Sequence, residues 1–311
     1  MLKKIAVITP VSHIEGFKDL IETKGEIWYK EVGTKDEVRT LFLEENIDTI
    51  VCNPNKQGYM IDKELLDGTS VSLINTCSTG LNHIDTRYTE EKGIKVYCLK
   101  NDFKLLNKLP STSELALTLM LGLTKNIYKG VNSVREYDWN YEPYIGRMLS
   151  ELTVGIVGYG RLGRMMADFC RPLCKEIIVY DPYNPSPYHY SPKSIEELFE
   201  LCDVISLHVH VKDDTKYLID KDLLAKSKKC PYIINTSRGE IVVESDIVQA
   251  LKDKVIAGYG ADVLEDEFGI LEKSPIIRAM LQGYNIIVTP HVGGMTKEGQ
   301  ELAFKWAINK L

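Results

Sequence analysis

The sequence predicts an α/β protein of two domains, each a parallel sheet covered by helices on both faces. Three observations predict it. Short apolar runs alternate with helical segments from one end of the 311-residue chain to the other. That length supports two sizeable cores. Near the middle, residues 152–181 read LTVGIVGYGRLGRMMADFCRPLCKEIIVYD, a strand–turn–helix–strand unit with glycines at the turn.

Taken in order, residues 5–9 form the first expected strand, followed by a helix over 13–23 and a strand over 26–31. An amphipathic helix over 35–45 places Val38, Leu41 and Phe42 on one face. Strands over 47–52, 71–75 and 94–99, with helical pieces at 63–66 and 84–92, complete a first series. A polar, loop-like stretch over 100–110 separates it from a second, which starts with a strong helix over 114–127. Ser111, Thr112 and Ser113 are its candidate N-caps. The central unit supplies a strand over 153–157, a helix to about residue 174 and a strand over 177–180. Residues 182–192, PYNPSPYHYSP, read as a rigid surface loop. Strands over 204–208, 232–235, 255–258 and 286–288 extend the second sheet. A last helix over 297–311 is placed to return to the first domain. The expected division is therefore residues 1–106 plus 292–311 for a discontinuous first domain and 107–291 for an inserted second one.

Composition narrows the class. Forty-four acids against 38 bases give a net charge of −6, which argues against nucleic acid or an anionic membrane as the main partner. No apolar run approaches the ~18 residues of a membrane span. The N-terminal MLKKIAVITP enters a strand at once, without a signal-peptide pattern. The cysteines at 52, 77, 98, 170, 174, 202 and 230 form no CxxC pair, so a reduced, cytoplasmic protein without a metal site is expected.

The central unit has a dinucleotide fingerprint. Gly158 allows a sharp turn off the strand, Gly160 lets a pyrophosphate approach the backbone, and Gly163 lets the helix pack closely on the sheet. The helix start offers N–H groups to phosphate. Asp181, at the end of the next strand, would accept from ribose hydroxyls and repel a 2′-phosphate, which favours NAD over NADP. In the second half, Arg238, Glu267 and His291 each follow an apolar run, and ligands of open α/β sheets bind beyond the carboxyl ends of the strands. Arg238 offers a planar fork for a carboxylate. His291 could give a proton to a carbonyl oxygen as hydride arrives and take it back in oxidation. Glu267, bonded to the other ring nitrogen, would fix the imidazole and favour its charged form.

These segments resemble the D-isomer-specific 2-hydroxyacid dehydrogenases over nearly the whole chain. The matching motifs are STGLNHID (78–85), STSELALTLMLGL (111–123), LTVGIVGYGRLG (152–163), VYDP (179–182), SLHV (206–209), NTSRGEIV (235–242), GADVLEDE (260–267) and TPHVGG (289–294). The resemblance implies two Rossmann-like or flavodoxin-like domains, NAD as cofactor and a small 2-hydroxy or 2-keto acid as substrate. It implies Arg238, Glu267 and His291 as the catalytic set and carboxylate-binding backbone at Thr79 and Gly80. Cofactor contacts are implied for Arg161, Leu162, His208, Thr236, Gly293 and Gly294, and a nicotinamide carboxamide contact for Asp262. The helix near Glu114 resembles the family's dimer-forming helix, so a homodimer is expected.

Three departures from the family pattern stand out. His210 replaces a proline, Phe268 replaces the proline after the glutamate, and residues 53–57 lack the Arg-Ser pattern of phosphoglycerate enzymes, which argues against a phosphorylated substrate. An NAD(H)-sensing, corepressor-like interaction protein on the same scaffold is the alternative reading, and the compact length argues against it.

Overall fold

A computed structural model describes the chain except residues 1, 55–57, 188 and 268. Met1–Leu109 and Met295–Leu311 form one compact unit and Pro110–Gly294 the other. The divisions thus stand at 109/110 and 294/295, against 106/107 and 291/292 read from the sequence.

The first unit carries β1 (Lys3–Val7), α1 (Phe17–Glu22), β2 (Gly25–Tyr29), α2 (Lys35–Glu44), β3 (Thr49–Cys52), α3 (Lys63–Leu66), β4 (Leu73–Thr76), α4 (Thr86–Lys92), β5 (Lys95–Tyr97) and α5 (Phe103–Leu106). Its strands are parallel in the order β2-β1-β3-β4-β5, the flavodoxin-like order. Successive residues of β1 serve opposite faces. Ile5 and Val7 pack with Phe17 and Ile21, while Ala6 and Ile8 pack with Phe42, Ile50 and Ile74. The whole of β3 is buried, which is why its TIVC shows no alternation.

The second unit carries α6 (Ser111–Thr124), α7 (Ile127–Arg135), β6 (Thr153–Val157), α8 (Arg161–Cys170), β7 (Glu176–Tyr180), α9 (Ile195–Leu201), β8 (Val204–Leu207), α10 (Lys221–Leu224), β9 (Tyr232–Asn235), α11 (Glu244–Lys252), β10 (Gly258–Ala261), α12 (Pro275–Leu281) and β11 (Ile286–Val288). Its six parallel strands run β11-β10-β9-β8-β6-β7. Beyond β7, a single parallel bridge joins Ile178 to Tyr190, so the proline-rich loop takes the place of a further edge strand. The order reverses between β6 and β8, the switch point at which such sheets bind ligands.

The C-terminal helix α13 (Lys297–Asn309) belongs to the first unit. Phe304 meets the Phe17 ring edge-on at 5.4 Å, Asn75 Nδ2 donates to Ala307 O, and Trp306 Nε1 donates to Asp102.

Several elements differ from the sequence reading. The strand expected over 255–258 lies at Gly258–Ala261. Its two glycines hid it, yet they are what the packing needs, since a Cβ on Gly260 would stand 3.1 Å from Leu119 of α6. The first helix starts only at Phe17, because Gly16 adopts a left-handed φ of 69° at its N-cap. The cofactor-unit helix ends at Cys170, before Pro172, which lacks an N–H and restricts Arg171. The stretch over 100–110 contains α5, capped by Asp102. Helix α6 starts at Ser111 after Pro110 without a side-chain cap, and Ser113 instead donates to Leu162 O.

Candidate active site

Strand β6 delivers the chain into a turn that only glycine fits at two positions. Gly158 has φ +91°, its N–H donates to Tyr180 O, and a Cβ there would stand 2.6 Å from His208 O. A Cβ on Gly163 would stand 2.0 Å from Gly158 O, so helix and strand are packed backbone to backbone. A Cβ on Gly160, by contrast, would meet nothing within 4 Å. Gly160, the N-cap of α8, has itself no side chain to offer the first-turn N–H groups, where Arg161 and Leu162 stand. An open approach to uncapped helix N–H groups is what an anionic diphosphate requires.

Asp181 is placed at the end of β7 beside this turn. Its Oδ2 accepts Tyr159 N–H at 2.7 Å, and its Oδ1 accepts Tyr183 and Asn184 N–H at 2.9 Å each. Oδ2 thus keeps acceptor capacity. Past β9, two strands from β6, Thr236 is 6% exposed and its Oγ1 has no hydrogen-bond partner. A buried hydroxyl without a partner is costly, so it marks a place where a polar group of a ligand fits. His208, at the end of β8, meets Ser206 Oγ through Nε2 at 2.8 Å, and burial pushes its pKa down to about 4. With the glycine turn, the uncapped helix and the Thr236 hydroxyl, these residues fit a dinucleotide.

The ionisable residues follow three neighbouring strands, β9, β10 and β11. Arg238 stands three residues past β9 in a loop held by its own strand end. Asn235 Oδ1 accepts Ser237 N–H, Asn235 Nδ2 donates to Arg238 O, and Ser237 Oγ donates to Leu207 O. The Arg238 guanidinium, half-buried, donates through Nη1 to Ser237 O at 2.6 Å. Past β11, His291 has φ +53°, a left-handed conformation disfavoured for any residue with a Cβ. Its Nδ1 lies 2.8 Å from Glu267 Oε2, with side-chain exposures of 47% for the histidine and 22% for the glutamate.

Asp262, 2% exposed at the end of β10, holds the His291 turn in that conformation. Thr289 Oγ1 donates to its Oδ1 at 2.5 Å, Val292 N–H to Oδ1 at 2.8 Å and Gly293 N–H to Oδ2 at 2.7 Å. A Cβ on Gly293 would come within 2.9 Å of Asp262 Oδ2, so the close approach needs glycine. Burial raises the Asp262 pKa, while these hydrogen bonds pull it back down. The sequence reading assigned Asp262 a cofactor contact and did not find this loop contact. A buried acid directly after an apolar strand was the available signal.

Thr79 and Gly80 belong to the first unit, in the loop after β4. Thr76 Oγ1 meets Ser78 Oγ at 2.9 Å, and Ser78 Oγ donates to Gly80 O at 2.8 Å. The same Thr76 hydroxyl lies 2.9 Å from Nε2 of His83, which is 6% exposed. Sequence reasoning passed over His83. His210 is exposed, with its carbonyl accepting from Thr215 Oγ1 at 2.5 Å. Phe268 and residues 55–57 lie outside the described residues. Among the described residues no cluster of three or more His, Cys, Asp or Glu is arranged to hold a metal ion, and no helix is long and apolar enough to cross a membrane.

Two family models match the chain. The D-isomer specific 2-hydroxyacid dehydrogenase NAD binding domain matches residues 117–293, and the catalytic domain of the same family matches residues 5–102. A hydroxypyruvate reductase of Thermotoga maritima is 30% identical over 270 residues, covering 86% of this chain and 83% of that protein. A D-3-phosphoglycerate dehydrogenase of Methanocaldococcus jannaschii is 29% identical over 306 residues, covering 96% of this chain but 55% of that longer protein. The crystal structure of a Thermus thermophilus protein superposes with a TM-score of 0.82 at 25% identity, covering 98% of this chain and 94% of that one.

Proposed function

Because the chain belongs to the D-isomer-specific 2-hydroxyacid dehydrogenase family, whose members are NAD-dependent oxidoreductases, we propose that it interconverts a small, unphosphorylated 2-keto acid and its D-2-hydroxy acid. The observation that carries this reading is the Glu267–His291 pair at 2.8 Å, which follows the two strands next to that of the Arg238 loop. The similarity to a hydroxypyruvate reductase supports a substrate of that size. The absence of an Arg-Ser pattern at residues 53–57 supports an unphosphorylated one.

In this reading the uncapped first turn of α8 and the glycine turn hold the pyrophosphate of NAD. Asp181 takes a ribose hydroxyl, and His208, Thr236, Gly293 and Gly294 line the nicotinamide end. The cofactor, when bound, supplies or accepts the hydride. Arg238 binds the substrate carboxylate through the free part of its fork. Glu267 accepts the Nδ1–H of His291, which leaves Nε2 to carry the mobile proton. During reduction Nε2–H is given to the carbonyl oxygen, and the neutral ring keeps its Nδ1–H on Glu267. During oxidation Nε2 takes the hydroxyl proton, and the Glu267 carboxylate stabilises the imidazolium that forms. Asp262 keeps His291 where this exchange can happen.

The test is loss of NADH absorbance across a panel of 2-keto acids that includes hydroxypyruvate, glyoxylate and pyruvate, with NADPH as control. His291→Ala and Arg238→Ala should lose turnover by ~100-fold or more while retaining NADH affinity. Tight NADH binding without turnover on any acid would overturn the enzymatic reading in favour of an NAD(H)-sensing protein. Equal loss of turnover and NADH binding in both variants would overturn the assigned roles.

A further inference from the structure

A buried carboxylate that the reaction does not use sits beneath the Glu267 loop. Glu244, the first residue of α11, is 6% exposed. Its Oε1 accepts Glu265 N–H at 3.0 Å, and its Oε2 accepts Ser274 Oγ–H at 3.4 Å. Glu265 is two residues before Glu267. The same stretch of backbone is pinned from the other side by the residue after Arg238. A Cβ on Gly239 would lie 2.0 Å from Leu264 C and 2.1 Å from Glu265 N, so the two loops interlock with no space between them. Tyr217 ties them a third time, since its N–H donates to Glu240 O at 2.7 Å and its hydroxyl donates to Glu265 Oε1.

We propose that Glu244 is a positioning residue: its buried carboxylate anchors the Leu264–Glu265 backbone and so aims Glu267 at His291, in register with the Arg238 loop. A carboxylate at this depth is held at a cost. Burial raises its pKa, the Glu265 N–H pulls it down, and the charges of Glu265 and then Asp266 push it up again. A core position filled for packing alone would carry an apolar side chain. What the carboxylate supplies is an acceptor for a backbone N–H at the base of a turn that carries a catalytic group. Removing the acceptor frees that turn, and displacement of a reacting group by ~1 Å costs about 100-fold in rate.

The proposal rests on the Glu267–His291 reading, and its test separates the two. Glu244→Gln keeps an acceptor oxygen, Glu244→Met keeps the volume without one, and Glu244→Asp withdraws the oxygens by one methylene. The first readout is the imidazole nitrogen NMR signal of His291 in the ligand-free protein, assigned with His291→Asn, which reports the Nδ1–H tautomer held by Glu267. The second is kcat and KM with NADH and whichever 2-keto acid is turned over. Glu244→Gln should match the wild type in both. Glu244→Met should lose the fixed tautomer signal and at least ~10-fold in kcat with KM for NADH unchanged. A folded Glu244→Met with wild-type signal and kcat overturns the proposal. Should that variant fail to fold, an unchanged signal and kcat in Glu244→Asp does the same. If the wild type turns over no 2-keto acid, the functional reading falls, and the nitrogen signal still decides the part played by Glu244.

Discussion

Replacing Asp262 tests whether the His291 turn is held from below. The carboxylate accepts three bonds, two on Oδ1 and one on Oδ2, all from residues 289–293. Asp262→Asn can keep the Thr289 and Val292 bonds on its carbonyl oxygen, but its amide N–H then faces the buried Gly293 N–H. That variant should lose about 1–3 kcal/mol of stability, the cost of one unsatisfied buried donor. Asp262→Ala removes all three acceptors. At about 1 kcal/mol net for each bond plus the stranded Gly293 donor, the loss is about 3–5 kcal/mol, reduced by relief of the carboxylate's own desolvation. The left-handed His291 backbone stores about 1–3 kcal/mol, which is released once the clasp is gone, so the turn relaxes and carries the imidazole with it. We therefore expect kcat to fall ~10-fold in Asp262→Asn and ~100-fold in Asp262→Ala, with the NADH Kd within ~3-fold of wild type. Urea denaturation, NADH titration by fluorescence and steady-state rates at saturating NADH measure the three quantities. An Asp262→Ala protein with unchanged kcat and greatly weakened NADH binding would refute the loop argument and favour a direct contact with the nicotinamide carboxamide.

Two further outcomes follow from the same structure. His83 is 6% exposed, and burial lowers its pKa from 6.5 to about 4, so the unfolded chain binds a proton that the folded one refuses. Its contribution to stability is complete above pH 6.5 and is lost as the pH falls toward 4, at up to about 1.4 kcal/mol per pH unit and about 3 kcal/mol in all. Urea midpoints from pH 7 to pH 4.5 should therefore fall less steeply in His83→Gln, and parallel acid slopes would show that His83 is not the group responsible. Helix α6 commits Ala116, Leu119, Met120 and Leu123 to its own unit, whereas the next segment leaves Val131, Val134, Trp139, Tyr141 and Ile145 exposed. An apolar surface of this kind fits a second copy of the chain. Val131→Asp should convert a dimer to monomer in sedimentation velocity; a variant that stays dimeric would place the expected interface elsewhere, and a wild-type monomer would refute the homodimer.

The legible parts of the chain were those whose cause is local. The buried runs at residues 153–157 and 232–235 are continuous because both sheet faces are covered, and that burial shows in the residues themselves. Gly158 and Gly163 were readable because a turn with φ +91°, and a backbone approach so close that a Cβ would stand 2.0 Å from Gly158 O, accept no other residue. Strand β10 was misplaced for the opposite reason. Gly258 and Gly260 have poor strand propensity, and only the approach of Asn285 to the first and of α6 to the second explains their presence. Glu244 and His83 carry no local signature at all, and Asp262 shows only as an acid directly after a strand. An acid or histidine in the sequence does not reveal whether it ends up in water or beneath a loop.

By itself, then, the sequence determined the alternation of strands and helices, the glycine turn with its acid at Asp181, and the candidate set Arg238, Glu267 and His291. Each is written in residue types whose backbone or chemical demands are met within a few neighbours. Tertiary structure alone decided that Glu267 lies 2.8 Å from His291, that Asp262 holds the turn that carries His291 and that Glu244 anchors the Glu267 loop. Those contacts join residues 21 to 31 positions apart in the chain. They exist only once β9, β10 and β11 lie side by side, because neighbouring strands bring the ends of distant segments to within a hydrogen bond of one another.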